Sequence, residues 1–230
     1  MNHFGSAILL LSALFQIYLF YDFFGAYFDK REHNIPMLSG IISWVLSVGM
    51  LFLVNLCGKA ELNLIAFIVI CGSFLLYHFK GRIGSGILYF AILYFVSFAC
   101  EGVFYFLLNL SEILQQKPMT VVLSEIPWQM FSMKLLNYII LSVMKQHFGS
   151  SKVTMDNKVF QYYLCIPAAS FGIMLMTNYL GTGIYGNLVS KIIISVMFLL
   201  MLIGNICVFG AFQKYDLQLQ KSAEKDRIIS

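Results

Sequence analysis

The sequence predicts an all-α, polytopic membrane protein of about seven transmembrane helices, and three observations carry that expectation. Charged residues make up 11% of the chain and hydrophobic ones 60%, where an ordinary soluble domain carries roughly 25% charge. Mean hydropathy is +0.81. Apolar runs of about 18 residues or more, the length that reads as a membrane span, recur along the chain between short polar breaks. These runs use up nearly all of the 230 residues, leaving almost no soluble domain.

The spans follow in order. Span 1 covers residues 4–27 and ends at the charged break Asp29-Lys30-Arg31-Glu32-His33 and Pro36. Span 2 covers 37–57, where Gly58-Lys59-Ala60-Glu61 interrupts it. Span 3 covers 62–79 and is closed by Lys80-Gly81-Arg82. Span 4 covers 85–110 and includes Glu101; a looser stretch with Pro118 follows. Span 5, at 126–144, is the least apolar, with Glu125 at its start and Lys134 inside, and a polar loop from Lys145 to Lys158 follows it. Span 6 covers 159–180 and contains Pro167, which in a membrane helix gives a kink rather than a break. Span 7 covers 188–212. The segment 213–230 is charged, lacks Gly and Pro, and is rich in good helix formers. Span 7 is therefore expected to run directly into a cytoplasmic helix. Phe212, Tyr215, Leu219, Ser222 and Ile229 fall near a/d spacing, a short and imperfect dimer seam.

Lys and Arg in short loops mark the cytoplasmic side. The loops after spans 1, 3 and 5, together with the tail, hold Lys30, Arg31, Lys80, Arg82, Lys145, Lys152, Lys158, Lys214, Lys221, Lys225 and Arg227. The opposite side holds Lys59 and Lys117. The bias predicts an outside N-terminus and an inside C-terminus, and it argues for span 5, without which it would shrink. No Lys or Arg precedes the first apolar run, so that run is expected to be a retained span rather than a cleaved signal peptide.

Charge inside a bilayer costs roughly 2.5–3.5 kcal/mol per residue on insertion scales, so such residues face partners or wet cavities. Glu101 and Lys134, on sequential antiparallel spans, are the candidate intramembrane pair; the alternative is that each snorkels to an interface. Glu125, Trp128, Asn178 and Lys191 fall near the outer ends of spans 5, 6 and 7 and are the candidate rim of an outward-facing ligand site, or else interfacial anchors. Asn55, Asn137 and Asn205 are candidates for hydrogen bonds between helices, and Asp22 lies near the inner end of span 1.

Catalytic signals are poor. His3, His33, His78 and His147 form no HExxH, and neither a GxxxxGK[ST] loop nor a GxSxG elbow occurs. Cys57, Cys71, Cys100, Cys165 and Cys207 form no CxxC and read as buried small hydrophobes. No cofactor or metal is expected. The net charge of +4 sits at span ends and in the tail with no basic stripe, which argues against nucleic acid. An intramembrane Cys/His peptidase has no local signature. A small-molecule carrier is the stronger rival, although paired broken helices and repeats are not evident. A membrane scaffold is the third class.

Three stretches carry a resemblance. LFQIYLFYDFFGAYFDKRE is an aromatic helix followed by a basic loop. LLYHFKGRIGSGILYFAILYFVSFACEGVFYFLLNL is a basic turn leading into an aromatic helix with Glu101 inside. CVFGAFQKYDLQLQKSAEKDRI is a last span running into a charged helix. Together, over essentially the whole chain, they resemble the N-terminal sensor regions of GHKL-type receptor histidine kinases of Gram-positive bacteria, the accessory-gene-regulator class that detects secreted peptides. The resemblance implies a peptide ligand bound from outside, a homodimer, a location in the bacterial cytoplasmic membrane, and a response regulator reached only through a cytoplasmic kinase domain. The chain departs from the family in having no phosphoacceptor His after His147, no Asn-rich box and no Gly-rich ATP lid. By itself it is not expected to bind ATP or to phosphorylate itself. It is read either as a segment of a longer kinase or as a kinase-less relative.

Overall fold

The computed structural model describes residues 3–32, 36–57, 60–81, 83–108, 127–148, 163–173 and 188–229. Apolar, aromatic-rich runs bounded by charge give helices α1 (His3–Tyr27), α2 (Pro36–Cys57), α3 (Ala60–His78), α4 (Ile83–Leu108) and α5 (Pro127–Phe148). Residues 165–173 are helical and belong to α6, and α7 runs from Leu188 to Ile229. Two two-residue strands, β1 (Asp29–Lys30) and β2 (Phe79–Lys80), follow α1 and α3. Sequence periodicity gave no sign of these strands.

Among the described residues, four helical stretches are long and apolar enough to cross a membrane: Gly5–Tyr27, Leu38–Cys57, Ile83–Phe104 and Ile192–Asp226. The apolar stretch of α3, Leu62–His78, is shorter. Large apolar side chains stand on the outside of these helices. Val45 is 65% exposed, Ile65 62% and Leu200 61%. Contiguous apolar surface of this kind is rare on soluble monomers, and in a bilayer it needs no cover.

The chain divides into two compact units. The first comprises α1, α2, α3, both strands and α5 as far as Lys145. Its core is aromatic, with Phe20, Phe23, Tyr27 and Phe74 almost fully buried. Phe20 packs edge-on to Phe67, and Tyr21 lies against Phe74 and His78, so α1 and α3 run in the same direction. Trp44 against Phe74 and Ser43 beside His78 set α2 antiparallel to α3. Phe15 against Phe131, with Asp22 bonded to Lys145, sets α5 parallel to α1. The strands close this end: Asp29 pairs with Lys80 and Lys30 with Phe79, and the Arg31 amide donates to the His78 carbonyl at 2.8 Å. Lys30, Arg31, Lys80 and Lys145 thus gather at one end of the unit.

The second unit comprises α4, the last turn of α5, α6 and α7. Here α4 packs along α7 over most of its length. Tyr89 meets Gln213 near one end and Gly102 meets Phe198 near the other, so the two helices are antiparallel. Ser170 with Asn205, and Tyr163 with Phe212, place α6 antiparallel to α7 as well.

Candidate functional site

The best-defined functional element is the face of α7 that packs against α4 and α6. At 42 residues, α7 is about 63 Å long at 1.5 Å per residue. That is about twice the hydrocarbon thickness of a bilayer. Part of it must therefore stand outside any membrane it crosses, and from Lys214 onward its sequence is charged. No Gly or Pro after Gly210 offers a break.

The α7 face is built in layers. Phe198 lies against Gly102 and Phe98 of α4, and a Cβ at residue 102 would collide with the Phe198 ring. About two turns further on, Asn205 is fully buried. Its Nδ2 donates to the Ser170 hydroxyl at 2.7 Å and to the Met201 carbonyl at 2.8 Å. Its Oδ1 has no hydrogen-bond partner among the described residues. Gly210 then lets the Phe148 ring approach the α7 backbone. In the last packed layer the Tyr89 ring stands edge-on to Phe209 and Phe212, and its hydroxyl accepts a hydrogen bond from Gln213 Nε2. Asp216 is fully buried and accepts a bond from Gln220 Nε2 at 3.0 Å. Beyond it, residues 221–226 are all exposed.

This order carries a physical consequence. Close ring-to-backbone packing fixes the register of α7 against α4. Buried hydrogen-bonded polar groups are costly to leave unpaired. The pairings are specific, so the helix face has preferred registers rather than a continuum of positions. One unbroken helix joins the packed part of α7 to the exposed residues 221–226.

The residues singled out from sequence are distributed differently. Glu101 lies on α4 in the second unit and Lys134 on α5 in the first; both are half-buried. Lys134 lies within electrostatic reach of Cys71 on α3, and Glu101 within reach of Tyr94 on its own helix. Of the four rim candidates, Glu125 and Asn178 lie outside the described residues. Trp128 and Lys191 fall in the first turns of α5 and α7, with side chains outside the described set. Asn205 makes the cross-helix bond anticipated for it, and Asn137 is buried. Sequence reasoning missed the Asp22–Lys145 ion pair, although both residues sit at the predicted inner ends of their spans. It also missed Tyr89, Gln213 and Asp216, whose partnership spans 124 positions of sequence for the Tyr89–Gln213 bond. Among the described residues no group of three or more His, Cys, Asp or Glu could hold a metal ion.

Comparison with known proteins adds no relative: no family model matches the chain, and neither does any curated protein or solved structure.

Proposed function

We propose that this chain is the membrane sensor module of a peptide-responsive, GHKL-type receptor histidine kinase. It would lie in a bacterial cytoplasmic membrane and cross it seven times, with the N-terminus outside and the C-terminus inside. The single observation that carries the reading is α7, one helix that is packed by specific contacts along its apolar part and exposed and charged at its end. A carrier has no need of such an extension. A receptor needs a rigid element leading from the bundle to an output domain.

The helix directions within each unit agree with the orientation drawn from charge. The C-terminal ends of α1, α3 and α5 share one end of the first unit, with their basic residues. In the second unit α4 and α6 both oppose α7. On this reading a peptide binds between outer helix ends, makes different contacts with two arrangements of the bundle, and shifts their populations. Two copies pair through the tail helices, and a cytoplasmic kinase domain passes the signal to a response regulator.

The test uses a spin label on a cysteine at the exposed Gln218, with the five native cysteines replaced. Peptide fractions from the producing organism's supernatant are expected to change the label's mobility or the distance between labels in a dimer. No response to any fraction, combined with solute flux in sealed vesicles, would transfer the assignment to a carrier. Neither response nor flux would leave the scaffold reading.

A further inference from the structure

At the closed end of the first unit, Lys30 and Phe79 are register partners on β1 and β2. Paired residues in a ladder project from the same face. Phe79 is buried against Tyr21 and Phe24. Lys30 follows it, and its ammonium lies 5.1 Å from the centre of the Tyr21 ring. Asp29 and Lys80 form the neighbouring register pair, on the opposite face. The Lys30 ammonium therefore points back over the helices, beside an aromatic group made by Tyr21, Trp44, Phe74 and His78.

The side chains of that group and its edge include polar atoms that can donate hydrogen bonds. His78 Nε2 and the Ser43 hydroxyl are 3.2 Å apart. The Tyr21 hydroxyl and the Trp44 indole N–H belong to half-buried rings whose centres lie 5.4 Å apart. Among the described residues Lys30 has no carboxylate within ion-pair distance, although Asp29 and Glu32 are exposed nearby. Directly beside Trp44, α2 presents Ile41, Ile42, Val45 and Leu46, each at least half exposed. A cation and several neutral donors at a helix end, next to an apolar face, match a phosphodiester with acyl chains attached.

We propose that Lys30, Ser43, Trp44 and His78, with Tyr21 beneath, form a binding site for the phosphate headgroup of an anionic phospholipid. The chains of that lipid would lie along α2. The site requires only that these helices cross a bilayer. It does not depend on the receptor reading, because either leaflet supplies phosphate. A choline headgroup would bring its own cation toward Lys30, so phosphatidylglycerol is favoured over phosphatidylcholine.

Trp44 is one of two tryptophans, so the Trp128→Phe variant makes it the sole reporter. The full chain in nanodiscs of mixed phosphatidylglycerol and phosphatidylcholine, with one lipid brominated at a time, reads contact as fluorescence quenching. Brominated phosphatidylglycerol is expected to quench Trp44 more steeply than brominated phosphatidylcholine. Loss of one surface cation in Lys30→Gln should weaken that preference at least about fivefold, while Lys30→Arg keeps it and the neighbouring Arg31→Gln lowers it less. Equal quenching by the two lipids, or a preference that survives Lys30→Gln or falls equally in Arg31→Gln, would overturn the site. Competition by millimolar inorganic phosphate would overturn the lipid assignment in favour of a soluble phosphate.

Discussion

The two units are held together in different ways. The first is closed at one end, where a two-strand clasp, an aromatic cluster and the Asp22–Lys145 ion pair bind three parallel helices to one another. The second has no such clasp among its described residues. It is held along the length of one helix pair by rings pressed onto glycine and by buried amide hydrogen bonds. An end clasp fixes where helix ends lie and leaves little room for axial movement. A long interface of matched layers defines registers, and a helix held that way moves as a unit if it moves at all. The difference teaches that an anchoring role suits the first unit and a transmitting role suits the second.

The largest expected effect is at the ring-to-glycine contacts. Gly102→Val drives a side chain into Phe198 and is expected to cost about 2–3 kcal/mol, since overpacking strains a filled interface. Thermal unfolding in detergent measures it, and adding Phe198→Ala should recover part of the loss because the two positions are coupled. Next is the clasp. A Cβ at Gly81 would lie 2.7 Å from Cδ1 of the Phe28 ring, so Gly81→Ala is expected to cost about 1–2 kcal/mol, less than Gly102→Val because one exposed end can adjust. Gln213→Leu leaves the Tyr89 hydroxyl buried without its donor and should cost about 1 kcal/mol. If α7 transmits, it should also shift the resting state of the tail label at Gln218, which Gly81→Ala leaves unchanged. The smallest effects are polar. Asn205→Leu removes the bond to Ser170 and should cost about 0.6 kcal/mol, the mean for hydrogen bonds between membrane helices. Separating Asp22 from Lys145 should cost about 1 kcal/mol or less, as befits partly exposed ion pairs; the charge-reversed double variant should recover it.

Much of the helical layout was legible because each boundary is local. Asp29 and Lys30 follow α1, Gly58 and Lys59 follow α2, and the absence of Gly and Pro after Gly210 lets α7 run on to Ile229. Length and apolarity alone single out four helical stretches among the described residues, and the expectation of seven spans adds further helices by charge bias. The contacts were not legible, because membrane helices are apolar all round and periodicity does not mark the buried face. Nothing local pairs Tyr89 with Gln213, or Asp22 with Lys145. Glu101 and Lys134 drew notice because they are charged; Glu101 lies in the second unit and Lys134 in the first. Glu125 and Asn178 lie outside the described residues.

On the proposed reading, α7 joins membrane and tail as one rigid element. Amide hydrogen exchange along residues 201–226 of the full chain in nanodiscs tests it most directly. Strong protection is expected through Phe209, Phe212, Gln213 and Asp216, declining smoothly toward Asp226 as the helix leaves its packing. A fast-exchanging break between Gly210 and Asp216, with protection resuming beyond it, would show that α7 is hinged there and not one rigid element.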